Sequence, residues 1–167
     1  PINTNATIRV GQFKVPISTE IVEPISRLVE REFSEVWARL VPRTRDSGIH
    51  VQVKGKGRVP SWDVAVINGS GLNQKDNNEQ KDFLIREVVP VRQGTFEVAY
   101  YSGKFTSADA VPITTVRSRL AFGTDLDLGV VGLRAGYVQG RDLGAPVSGG
   151  FLRISGKVGK QGDVAFA

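Results

Sequence analysis

A single histidine bounds the chemistry open to this chain. His50 is the only one among 167 residues, and there is no cysteine. A Ser-His-Asp site would have to use it. It lies in the run Ile49-His50-Val51-Gln52-Val53-Lys54, which alternates as a strand does and puts His50 on the polar parity. That reading sets His50 on a solvated strand face beside Lys54, away from catalysis. One histidine without cysteine also falls short of the usual zinc ligand sets. Thiolate chemistry and disulfides are excluded outright.

Two carboxylates come next. Asp125 and Asp127, in GTDLDLG, share a strand parity and are the nearest candidates for a hard cation or for acid–base work. Leu126 and Leu128 take the inward parity, so the aspartates are read as facing water and no metal is expected. Gly150 to Lys157, GFLRISGK, is not a phosphate loop. It has one residue too many between its glycines, lacks the Ser or Thr after Lys, and sits in a strand pattern. No cofactor is expected, and the chain reads as a non-enzyme.

What remains is a concentration of positive charge. Arg43 to Pro60 nets +4 of the chain's +5. His50, Gln52, Lys54, Lys56 and Arg58 fall on alternate positions, and Ile49, Val51, Val53 and Val59 fill the others. The strand would carry an apolar face and a cationic stripe. Arg43, Arg45, His50, Lys54, Lys56 and Arg58 are therefore the candidate anion-binding residues. No aromatic side chains are interleaved with them, so the stripe suits a nucleic-acid backbone or other polyanion without sequence readout. The competing reading is that the lysines guard a sheet edge.

The elements that position these residues follow from periodicity. Pro24 to Leu40 carries Ile25, Leu28, Val29, Phe33, Val36, Trp37 and Leu40 on one stripe, which predicts a long amphipathic helix over about 24–40 that Pro24 starts and Pro42 stops. Everything else predicts strand and turn. Thr7 to Val15 alternates, with a bulge expected at Gly11, where the apolar parity switches. Trp62, Val64 and Val66 share a face read as inward. Phe83–Val91, Phe96–Tyr101, Thr114–Phe122, Leu126–Val130 after a GTD turn, Leu133–Val138, Phe151–Val158 and Val164–Phe166 complete eight or nine strands. A mobile polar loop is expected over about 72–82 and a glycine-rich loop over 140–150.

The chain thus reads as a single domain, 1–167, mainly β: an antiparallel β-sandwich or barrel, jelly-roll-like, with one long helix. No apolar run reaches the length of a spanning helix, and the start PINTNATIRVGQFK lacks the layout of a secretory signal. A soluble protein, of virion or extracellular setting, is expected. The leading function is a structural or assembly protein, for instance a single-barrel virion coat subunit, forming a homo-oligomer and meeting nucleic acid or another anionic partner. The alternative is a carrier holding a lipid or other apolar ligand between sheet and helix.

Overall fold

The computed structural model describes residues 4–24, 34–41, 44–73, 79–106, 114–157 and 163–166. They form the strands β1 (Thr4–Lys14), β2 (Arg45–Gly55), β3 (Ser61–Ile67), β4 (Asp82–Val91), β5 (Gly94–Thr106), β6 (Thr114–Asp127), β7 (Val131–Asp142), β8 (Ala145–Lys157) and the short β9 (Asp163–Phe166). Each pairs antiparallel with the next, in one sheet ordered as in the sequence. The expected mainly antiparallel β fold is present. The jelly roll and the sandwich are not, because every connection joins sheet neighbours and, among the described residues, no second sheet faces the first. Nor does the barrel close: among the described residues β1 and β9 have no strand partner on their outer edges.

Two short helices replace the long one. α1 (Thr19–Val22) is capped by Ser18, whose Oγ accepts from Ile21 N at 3.3 Å. It ends at Glu23, which is extended, with ψ 141°. Pro24 forces that, since the residue before a proline avoids helical ψ. The proline read as a helix start is a helix stop. α2 (Glu35–Leu40) is the described end of the expected helix; residues 25–33 lie outside the described set. Val36, Trp37 and Leu40 keep the stripe and pack on the sheet.

Several expected turns are strand. GTD at 123–125 is internal to β6, and most of the expected 140–150 loop belongs to β7 and β8. Their hairpin is only Leu143-Gly144, with φ of 50° and 80°, as a tight two-residue turn requires. Asp82, placed in the mobile loop, is the buried first residue of β4; of that loop, residues 74–78 are outside the described set. β1 has no bulge either, since its register against β2 is unbroken from Thr4↔Gly55 to Lys14↔Arg45. The parity switch at Gly11 is real and needs no bulge: Ile8 and Val10 belong to one face of the sheet and Phe13 to the other.

The two ends of the sheet differ. Tight connections at 56–60, 92–93 and 128–130 join strands at one end; β1, β3, β5 and β7 end at the other, where β7 passes to β8 through the turn 143–144. Near that second end, residues 15–24 and 34–41 lie over one face. Phe13, Val15, Ile17, Ile21, Trp37 and Val41 meet Ala65, Ile67, Leu84, Ala99, Tyr101, Ala121 and Val138 there in a single buried cluster.

Candidate functional site

The pairing register assigns every strand residue to a face, because directly opposed residues point the same way. The face that holds residues 15–24 and 34–41 carries Asp46, His50, Gln52 and Lys54 of β2, Asp63 of β3, Asp82 and Arg86 of β4, Glu97 and Tyr101 of β5, Arg117, Arg119 and Asp125 of β6, Arg134 and Asp142 of β7, and Arg153 of β8. The other face carries Ile8 and Val10, Ile49, Trp62 and Val66, Phe83 and Val89, Phe96 and Tyr100, Val116 and Phe122, Tyr137, Leu152 and Ile154, all exposed. Most charged residues thus point to the core side and most large apolar residues point out; Glu87 and Arg141 share the outward parity.

This inverts the sequence reading of β2 and β3. His50, expected on a wet face, is 1% exposed, while Val10 on the opposite face is 78% exposed. Trp62, expected inside, stands outside. The error has one physical source. In a water-soluble antiparallel sheet the apolar parity covers the core, but here the core side is the polar parity, because Phe13, Ile67, Leu84, Tyr101, Val138 and Phe151 also lie on it.

The inward charges are linked. His50 Nε2 lies 2.7 Å from Asp63 Oδ1, and Gln52 Nε2 donates to the same oxygen at 2.9 Å. Arg86 donates to Asp63 Oδ2 at 3.1 Å through Nε and pairs with it through Nη2 at 2.9 Å. Its Nη1 reaches Glu97 Oε2 at 3.4 Å. Glu97 in turn accepts from Thr19 N at 2.9 Å and Thr19 Oγ1 at 2.7 Å. A chain of polar contacts therefore runs from β2 across β3, β4 and β5 to the start of α1. Farther along, Arg117 and Arg119 share Asp142, and Arg119 also donates to the carbonyls of Leu40 and Arg141. Arg134 pairs with Asp125 and with Glu23, the latter at 2.8 Å. Arg153 meets Glu20 Oε1 at 3.5 Å. Glu20 also accepts from Ser34 N at 2.7 Å and Ser34 Oγ at 2.6 Å, so this one carboxylate caps α2 and contacts β8. Buried charges need such partners, since an isolated one costs several kcal/mol.

Glycines make room for the inserted segment. A Cβ on Gly136 would lie 2.9 Å from Trp37 Cζ2, and one on Gly149 would lie 3.1 Å from Leu40. α2 therefore seats on bare backbone of β7 and β8, with Trp37 edge-on to Phe151 at 6.2 Å between ring centroids. Next to Thr19, Trp37, Glu97 and Arg134 the enclosed space is only about 10 Å³, no more than one water needs.

The structure disperses the candidate anion stripe. Arg45 begins β2, whereas Lys54 lies near its far end and Lys56 and Arg58 are in the following turn. That separates Arg45 from Lys54 by about 30 Å. All four are exposed, His50 is buried between them, and Arg43 lies outside the described residues. Asp125 is tied to Arg134, while Asp127 Oδ1 accepts from Gly129 N at 2.9 Å. No group of three or more His, Asp or Glu among the described residues could hold a metal ion. Sequence reasoning passed over Glu20, Asp63, Arg86, Glu97, Arg119, Arg134 and Arg153. The available signal was the company they keep: Gly123, Gly136 and Gly149 share their parity, as expected where backbone must be approached closely.

The chain matches no family model, no curated protein and no solved structure.

Proposed function

We propose that this chain is a section of membrane-spanning β-wall around a polar interior that residues 15–24 and 34–41 plug, and that the wall serves passage of a polar solute. The observation that carries this reading is the polarity of the sheet. Large apolar side chains face outward along β1 to β8, and most ionised ones face inward among glycines, with Glu87 and Arg141 among the exceptions on the outer face. Apolar-out and polar-in alternation is what a lipid-embedded barrel strand requires. The patch is far larger than soluble surfaces carry, with 16 large apolar side chains exposed on the outward face of the described strands.

Dimensions support it. On β6 the outward apolar positions run from Val116 to Leu126, about 33 Å along the strand. At the tilt of about 40° usual in such walls this gives a band about 25 Å tall. Apart from the two-residue turn 143–144, the short connections lie at one end and the longer ones at the other, an asymmetry these proteins share. No described helix is long and apolar enough to cross a membrane. Lipid tolerates no open sheet edge, so β1 and β9 must find partners in the bilayer, in each other or in neighbouring strands. The expectation of an assembling protein continues in that form.

The second reading keeps a water-soluble assembly subunit, its exposed apolar face buried by other copies; the same outward side chains favour it. The carrier reading has less support, because the space between sheet and helices is filled by charged groups and by Trp37. Flotation separates the first two. Protein refolded with phospholipid vesicles should rise with them in a density gradient and stay after alkaline extraction. Protein that stays at the bottom as an ordered multimer supports the subunit instead.

A further inference from the structure

Arg134 and Arg153 are direct partners across β7 and β8. Like charges placed opposite each other on neighbouring strands repel, so something must hold them. Each is met by one carboxylate from the inserted segment, Arg134 by Glu23 and Arg153 by Glu20. Strands β6–β8 taken alone do not supply enough negative charge. Among the non-exposed described side chains on the inward face of β6–β8, Arg117, Arg119, Arg134 and Arg153 stand against Asp125 and Asp142 alone. Glu20 and Glu23 make up the difference. They are three residues apart, which brings them to one side of a helical turn.

We infer that Arg134 and Arg153 form an anion-binding site on the inner wall, occupied here by the chain's own carboxylates, and that its ligand is a solute bearing carboxylate or phosphate oxygens. The inference rests on reading this face as a solute path and names the solute class. Guanidinium groups present planar forks of donors that match both oxyanions. The occupant is also suited to exchange. α1 is four residues long, too short to persist without its contacts. The Arg153–Glu20 contact is long, at 3.5 Å. A competing oxyanion would take over the guanidinium donors while Glu20 and Glu23 return to water.

Citrate, with inorganic phosphate in parallel, titrated calorimetrically into detergent-solubilised protein tests this. The comparison is wild type, Glu20→Gln with Glu23→Gln, and that pair combined with Arg134→Gln and Arg153→Gln. Glutamine keeps an oxygen for Ser34 while removing the charge. The glutamine pair should bind at least one of the two anions tenfold more tightly than wild type, and the added arginine changes should erase the gain. Which anion responds separates a carboxylate solute from a phosphate one. Equal affinity in wild type and the glutamine pair overturns the site, as does tight binding that survives loss of both arginines. Near-ultraviolet circular dichroism from Trp37 reports folding. If the pair does not fold, Glu23→Gln alone, in which Arg134 keeps Asp125, should bind at least threefold more tightly than wild type, and no gain there overturns the site. No bilayer enters the titration, so failure of membrane insertion and failure of the anion site are read separately.

Discussion

His50 Nε2 lies 2.7 Å from Asp63 Oδ1 with both side chains 1% exposed, while Ile49, the next residue, is 52% exposed. One strand thus buries an imidazole–carboxylate pair and shows an isoleucine to the surroundings. That arrangement is costly in water and natural in lipid, and the predictions below follow from it.

Asp63 is the hub of the first polar chain, bonded to His50, Gln52 and Arg86. Asp63→Ala leaves the Arg86 charge buried with only the longer contact to Glu97. Removing one partner of such a pair should cost about 3–5 kcal/mol. Urea unfolding of protein in detergent or lipid checks this. A loss within the range of surface changes, about 0.5 kcal/mol, would mean that water reaches the network.

Trp37 is 1% exposed and seated on Gly136. Trp37→Ala should cost about 3–5 kcal/mol, as loss of a large core aromatic does. Gly136→Val should act from the other side, since its Cβ would meet Trp37 and Phe151 and overpacking costs about 1–3 kcal/mol. Thermal unfolding of each variant, and of the two combined, tests whether they share a contact. The combined loss should fall short of the sum of the single losses.

Much of the strand content was legible, because alternation depends only on backbone geometry. Thr114 to Phe122 and Phe83 to Val91 read correctly as strands. The orientation of those strands was not legible. Periodicity says that Val51 and Gln52 point opposite ways, but which of them faces the core depends on what solvates the other face. Taking the apolar parity as the core side reversed β2 and β3 and turned His50 into a surface residue. Glycine misled in the same manner: Gly123, Gly140 and Gly149 suggest turns in a soluble sheet, whereas here they are strand positions. The partners of Arg134 and Arg153 were out of reach, since Glu23 and Glu20 lie more than 100 residues away in sequence.

Charge on the outward face separates lipid from water. Leu152 points out near the middle of β8 and is 58% exposed. In a bilayer Leu152→Arg should cost about 2–4 kcal/mol near the midplane. On a soluble surface the same change should fall within about 0.5 kcal/mol. Urea titration of folding into vesicles reads the difference.

The chain's two tryptophans test the central claim most directly. Trp62 faces out at 40% exposure, and Trp37 is enclosed beside Gly136. Two single-tryptophan variants, Trp37→Phe and Trp62→Phe, would be reconstituted in vesicles whose acyl chains carry bromine. Bromine quenches indole fluorescence on contact. The account predicts strong quenching of Trp62 and little of Trp37. Quenching of neither, or of Trp37 more than Trp62, would contradict a lipid-facing exterior.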